Sequence, residues 1–389
     1  MTHRNTKNYE KQHKKQKNAV LSYKNYTFMP LKKETRKKHT ITMISFESDY
    51  NNGTVPQIIE RLAEANNQKT SGYGFDAFTE EAKTKIKEAV GMDNAEVFLL
   101  VGGTQTNTTV IDSVLKGCEG VITVETGHIA VHESGAVEAF GHKVITLPGI
   151  DSKLKAETLE AYMETFLGDE IHPHMVQPGM VYISTPTELG MLYTKEELTK
   201  LYATCQKYHL ILYIDGARLG YGLMSKSCEY DLQFLARHCD VFYIGGTKVG
   251  AMFGEAVVFT NMKAPKYFFT DVKRHGALLA KGRMLGIQFA TLFTDNLYFR
   301  IAGHAIDMAE QLKAIFADYN IPMAVDSPTN QQFVVFTPEQ YKALSEKVVF
   351  EVWERKSESE IVCRFVTSWA TTQEDIDGLE QALKSSFNS

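Results

Sequence analysis

From about residue 78 onward, short, wholly apolar runs alternate with helical patterns, and this alternation restricts the fold more than any other feature of the chain. Glu96–Val101 (EVFLLV), Gly120–Val124, Lys143–Leu147, Met180–Ser184 (MVYIS), Leu210–Ile214 (LILYI), Asp240–Ile244 and Ala256–Phe259 are of strand length and lack polar alternation. Amphipathic stretches precede or separate them, among them Phe78–Val90, His128–Ala139 and Lys195–Tyr208. Strands that are apolar on both faces and joined through helices predict an α/β fold with a mostly parallel sheet covered on both sides. In such sheets ligands bind at the carboxyl ends of the strands. The loops GGTQTN, TPTELG, DGARLG and GGTKVG all fall there.

After about residue 300 the pattern changes. A helix over Ala302–Asn320 is followed by short strands at Met323–Ala324, Gln332–Phe336 and Ile361–Thr367, with helices near Pro338–Glu346 and over Thr372–Phe387. The expected organisation is a basic extension over 1–43, a large domain over 44–300 with an N-terminal arm at 44–77, and a small α+β domain over 301–389. The length, 389 residues, suits a large domain plus a smaller one.

The net charge of −5 hides an asymmetry. Residues 1–43 carry twelve Lys/Arg against two acids, whereas the remainder carries 30 basic and 45 acidic side chains. The first segment is polar and without apolar periodicity, so it reads as a disordered extension outside the chemistry. A basic tail of this kind is compatible with nucleic acid, but no helix-turn-helix unit accompanies it, and a nucleic-acid partner is not expected. No run approaches the roughly 18 apolar residues of a membrane span. Without an apolar leader segment, and with five cysteines scattered singly, the chain reads as cytoplasmic and reduced. No HExxH motif occurs, IHPHM (171–175) reads as an exposed loop, and no metal is expected.

Residues 241–259, VFYIGGTKVGAMFGEAVVF, place Lys248 among glycines between two apolar strands. Alone, it reads as a lysine keeping a turn in water. Asp215 directly follows another apolar strand in ILYIDGARLG, and alone reads as a turn former or helix cap. At the mouth of one sheet, however, an amine and a carboxylate converge. That pairing suits pyridoxal phosphate: the lysine as nucleophile and base, the aspartate as partner of the pyridine N–H⁺. GGTQTNTTV (102–110) supplies small residues, Gly102 and Gly103, and the hydroxyl of Thr104 at a helix start, where a phosphate binds. His128 opens a further helix and offers a flat group for the cofactor ring. Arg218 and Arg364 are candidates for bidentate contact with an α-carboxylate.

With these motifs in view, the chain resembles the low-specificity L-threonine aldolases, in the β-eliminating lyase group of fold-type-I pyridoxal phosphate enzymes. The resemblance runs from about Ser45 to Phe387 and is carried by SFESD, GYGFD, GGTQTN, GHIAVHESGA, IDGARL, GGTKVGAMFGEAVVF, GALLAKGRMLG and CRFVTSW. It implies a large domain with a mostly parallel seven-stranded sheet and a small C-terminal domain. It implies Lys248 as Schiff-base lysine, Asp215 as pyridinium partner, His128 on the ring, and Gly103 and Thr104 at the phosphate. Ser48, Arg218 and Arg364 would hold the substrate carboxylate. Tyr73 and the segment Lys281–Arg283 would complete the site across the interface of a homodimer or homotetramer.

The chain also departs from the family pattern. The loop after 180–184 is STPTELG, so the polar group near the cofactor's O3′ would be Thr185 or be missing, and the residue before the lysine is Thr247. His132 is a second imidazole one turn after His128, so either would be the base. The implied reaction is cleavage of the Cα–Cβ bond of L-threonine, L-allo-threonine or a related β-hydroxy-α-amino acid to glycine and an aldehyde. A phenylserine-type aldolase or a β-elimination on the same scaffold is the alternative, and a non-enzymatic ligand-binding regulator the third reading.

Overall fold

The computed structural model describes Met43–Phe387. The basic extension expected over 1–43 lies outside these residues except for Met43. A seven-stranded sheet has the order β2-β8-β7-β6-β5-β3-β4, after a two-residue strand β1 at Ile44–Ser45. Its members are β2 (Glu96–Leu100), β3 (Glu119–Val124), β4 (Val144–Leu147), β5 (Gln177–Ser184), β6 (Ile211–Asp215), β7 (Val241–Gly245) and β8 (Glu255–Phe259). All neighbouring pairs are parallel except those made by β8, which runs against both β7 and β2. The reversal follows from the short loop between β7 and β8, which has no room for a crossover helix.

Alternate residues of the strands enter two apolar cores. Val181, Ile183, Leu212, Ile214, Phe242 and Ile244 face one, while Met180, Tyr182, Tyr213, Val241 and Tyr243 face the other. Both sides are dry, as the apolar runs predict.

A second sheet has the order β12-β13-β10-β9, all antiparallel, from β9 (Met323–Val325), β10 (Gln331–Phe336), β12 (Glu351–Arg355) and β13 (Ile361–Val366). β11 (Val348–Val349) pairs in parallel with β1, tying the N-terminal arm to the C-terminal part of the chain. Phe46 completes that tie: its N–H and C=O bond Val349 and Val366, and its ring enters the core formed by Phe316, Phe336 and Phe365.

One expected element divides. The helix read over His128–Ala139 consists of two short helices, His128–Val131 and Ala136–Ala139. Ser134 and Gly135 between them take positive φ (55° and 73°), which a helix does not accommodate. No helix among the described residues is long and apolar enough to cross a membrane.

Candidate active site

The strand ends build one cavity of about 280 Å³. Asp215 ends β6, in register with Ser184 at the end of β5. Lys248 follows β7 and lines the same cavity with Asp215, Gly102, Gly103, Thr104 and His128. The approach of the two loops is possible because position 216 is glycine: a Cβ there would stand 2.0 Å from the Tyr243 carbonyl oxygen.

Asp215 is 5% exposed and fully engaged. Its Oδ1 accepts from the Ala217 N–H (2.9 Å), and its Oδ2 from the Tyr182 hydroxyl (2.5 Å) and Asn107 Nδ2 (3.2 Å). Burial works against its charge, but the attraction of His128 and the bonds from Tyr182, Tyr243 and Ala217 outweigh it and hold its carboxyl below the usual range. Lys248 is pushed the other way. Burial and then the Arg218 guanidinium lower its ammonium, against the pull of Asp49, Asp215 and Glu255. An aspartate held anionic beside a lysine held toward its neutral amine is the arrangement a nucleophilic lysine needs.

Gly103 opens a twelve-residue helix, Gly103–Val114, whose first intrahelical bond is Thr106 N–H to Gly102 C=O. The N–H groups of Gly103, Thr104 and Gln105 precede it, so the helix N-terminus is free to bind an anion. Among the described residues, none beyond the two chain neighbours comes within 4 Å of where a Cβ on Gly102 would stand, so this end of the cavity has space for a ligand. The donor set therefore fits pyridoxal phosphate: an N-terminal cradle for phosphate, an aspartate for the pyridine nitrogen and a buried amine.

His128 Nδ1 lies 2.7 Å from Glu133 Oε1, which also accepts from Asn107 Nδ2 at 2.7 Å. The second oxygen, Glu133 Oε2, is buried without a partner. The His128 backbone N–H donates to Glu188 Oε1 (2.9 Å), as does the Ser184 hydroxyl (2.7 Å). Burial raises the Glu188 carboxyl despite the Ser184 bond.

The other expected residues are distributed as follows. Arg218 lines the cavity, and its guanidinium is clamped by Asp49 through Nε to Oδ2 (2.7 Å) and Nη2 to Oδ1 (3.0 Å). Arg364, on β13, does not line it; it donates to Gln331 Oε1 (2.8 Å), pairs with Glu351 and lies 5.2 Å from the centre of the Trp353 ring. The Ser48 hydroxyl is buried with no partner. His132 is exposed, with its ring 5.6 Å from that of His128, and partial burial and then His128 and Arg364 lower its ionisation. Thr185 is 1% exposed, but its hydroxyl meets the Tyr230 hydroxyl at 3.1 Å, and the cavity is lined instead by Ser184, Thr187 and Glu188. Tyr73 lines a different, apolar cavity of about 370 Å³. Arg283 donates to the carbonyls of Gln68 and Asn66, and Lys281 is exposed.

Sequence reasoning missed Asn107, Glu133, Glu188, Glu255 and Asp49. All five sit within quoted motifs, GGTQTNTTV, GHIAVHESGA, TPTELG, GGTKVGAMFGEAVVF and SFESD, but what they hold, as Glu133 holds His128 and Asp49 holds Arg218, only the folded contacts display. Among the described residues no cluster of three or more His, Cys, Asp or Glu side chains could hold a metal ion.

The β-eliminating lyase family model matches residues 45–339. The chain belongs to the β-eliminating lyase family. This β-eliminating lyase is 32% identical over 275 residues to the low specificity L-threonine aldolase of Pseudomonas sp. (strain NCIMB 10558), a match covering 70% of this chain and 78% of that protein. The corresponding protein of Pseudomonas aeruginosa is 30% identical over the same shares. Among solved structures, the threonine aldolase of Leishmania major superposes with a TM-score of 0.85 at 38% identity, covering 88% of this chain and 98% of the other. The seven-stranded sheet and the added C-terminal sheet are those of a fold-type-I pyridoxal phosphate enzyme.

Proposed function

We propose that this lyase binds pyridoxal phosphate at Lys248 and cleaves the Cα–Cβ bond of L-threonine, L-allo-threonine or a related β-hydroxy-α-amino acid, releasing glycine and an aldehyde. The observation that carries this reading is that Lys248 and Asp215 share one cavity with a free helix N-terminus at Gly103. The threonine aldolase relatives supply the substrate class.

When bound, the cofactor supplies an electron sink for the pair released at Cα. Asp215, held anionic by Tyr182 and Asn107, keeps the sink protonated. Gly103 and Thr104 hold the phosphate. Arg218, with Ser48 and Arg364, orients the substrate α-carboxylate and so selects which bond at Cα breaks. With Nδ1 committed to Glu133, His128 retains Nε2 to accept the β-hydroxyl proton, a step that general-base help speeds by about 10²- to 10⁴-fold. His132 is the second candidate for that proton.

A homodimer or homotetramer belongs to this proposal, with Tyr73, Lys281 and Arg283 reaching a neighbouring copy's site. The exposure of Tyr73 (42%) and Phe75 (66%) beside the apolar cavity supports it. The reaction is tested by incubating the cofactor-loaded protein with L-threonine and L-allo-threonine and measuring acetaldehyde and glycine. Stoichiometric release of both is expected. A cofactor-loaded protein that releases neither would reject both threonines as substrates and favour the phenylserine-type or β-elimination alternative.

A further inference from the structure

The reversal of β8 brings an additional acid to the mouth of the sheet. Every parallel strand delivers its last residue there, but β8 delivers its first, Glu255, in register with Gly245 on one side and Leu100 on the other. Glu255 is 3% exposed and lines the cavity with Lys248. A buried carboxyl is costly unless it is hydrogen-bonded or paired.

Its bonds all go to the segment leading into Lys248. Oε2 accepts from the Gly246 N–H (2.9 Å) and Oε1 from the Thr247 hydroxyl (2.7 Å), so each oxygen grips one of the two residues immediately before the lysine. Thr247 Oγ1 in turn accepts from the Gly254 N–H (3.0 Å), next to Glu255 in the chain. The backbone closes the same ring, with the N–H groups of Gly246 and Thr247 both meeting the Gly254 carbonyl. The loop carrying Lys248 is thus fastened at its start by a side chain from its far end. Among the described residues neither oxygen has a cationic partner within salt-bridge distance, and the positive charge that bears on Glu255 in the cavity is that of Lys248.

We propose that Glu255 is a positioning residue for Lys248, fixing the two residues ahead of it and bearing on the charge of its amine inside the cavity. This rests on Lys248 being the cofactor-bearing lysine. Lys248 is faced by Arg218, Asp49, Asp215 and Glu255, and its charge also reaches His132. Glu255 is faced by Lys248 and Asp215 and by the phenols of Tyr213, Tyr243 and Tyr298. Burial raises the Glu255 carboxyl while the Thr247 and Gly246 bonds oppose it, and burial lowers the Lys248 ammonium. An anionic Glu255 raises the Lys248 ammonium against burial, and Lys248 lowers the Glu255 carboxyl, so the charge of each group bears on that of the other.

The test is competitive labelling of Lys248 with acetic anhydride in the full chain before cofactor is added, followed across about pH 6 to 11 by mass spectrometry. Two groups that interact by more than about one pK unit lose their protons in two macroscopic steps that belong to the pair. The wild type should show a two-step profile and Glu255→Gln a single step. Thr247→Val removes a donor that stabilises the Glu255 anion, so Lys248 loses part of its anionic support and its profile should move to lower pH. Superimposable profiles for wild type and Glu255→Gln would overturn the proposal. If thermal melting shows that Glu255→Gln does not fold, an unmoved Thr247→Val profile overturns it equally. Labelling contains no cofactor, so a chain that shows the two-step profile but binds no pyridoxal phosphate contradicts the cofactor assignment and leaves the pair intact.

Discussion

The Tyr182 hydroxyl donates to Asp215 Oδ2 over 2.5 Å, between side chains from the adjacent, in-register strands β5 and β6. The bond stabilises the carboxylate, since a hydrogen bond to a charged group contributes about 1.5–3 kcal/mol. Removing it in Tyr182→Phe should raise the Asp215 carboxyl. The sign follows: a carboxylate held low keeps its charge until pH falls through its lowered value. Tyr182→Phe should therefore lose catalytic rate at a higher pH on the acid side than the wild type. The pH dependence of kcat measures this, and superimposed acid limbs would count against the role given to Tyr182.

Asp215→Asn keeps the shape and removes the charge opposite the pyridine nitrogen. Turnover should drop by about two orders of magnitude or more, the scale seen when one electrostatic partner of a transition state is deleted. Comparison of kcat with thermal melting separates a chemical loss from a folding loss, and the expected result is a large fall in kcat with the fold retained.

Glu133 addresses His128 Nδ1 and has a second oxygen with no partner. Glu133→Gln should slow aldehyde release less than His128→Asn, because the imidazole remains but its orientation and tautomer are no longer enforced. The loss in His128→Asn should fall in the range of about 10²- to 10⁴-fold for a missing general base. Equal losses in the two variants would mean that Glu133 does more than orient the ring.

Asp49 and Arg218 form a buried ion pair, with Asn330 Nδ2 adding a third bond to Asp49 Oδ2 at 3.0 Å. Burial raises the Asp49 carboxyl, but Arg218 and Lys248 more than reverse this and hold it below its ordinary value. A group lowered in the folded state contributes stability that is present above the unfolded pKa and lost as pH falls through the folded one. Asp49→Ala strands the Arg218 guanidinium and should cost about 3–5 kcal/mol. Thermal melts of wild type and variant at neutral pH should differ strongly, and the gap should narrow in acid.

Much of this arrangement is legible in the sequence. The strands of the large sheet are apolar on both faces, so their existence and near-parallel order follow from their composition. Lys248, Asp215 and Gly103 declare themselves because each closes or follows such a run. β12 is less visible: EVWER is polar and only partly buried, and it is a strand because β13 pairs with it. The break at Ser134–Gly135 depends on local positive φ, which a helical pattern does not reveal. Glu255 is hidden because a glutamate at the start of an apolar strand reads as a solvated end. Only the reversal of β8 turns it inward. Asp49 and Asn330 come from distant segments, and their meeting at Arg218 is a property of the fold.

Every role proposed for this site depends on Lys248 carrying the cofactor. The direct measurement is to add pyridoxal phosphate to the purified chain, reduce it with borohydride, digest it and locate the phosphopyridoxyl group by mass spectrometry. A single modified peptide containing Lys248 is expected, absent from Lys248→Ala. Modification at another lysine, or none at all in a folded wild-type protein, would contradict it.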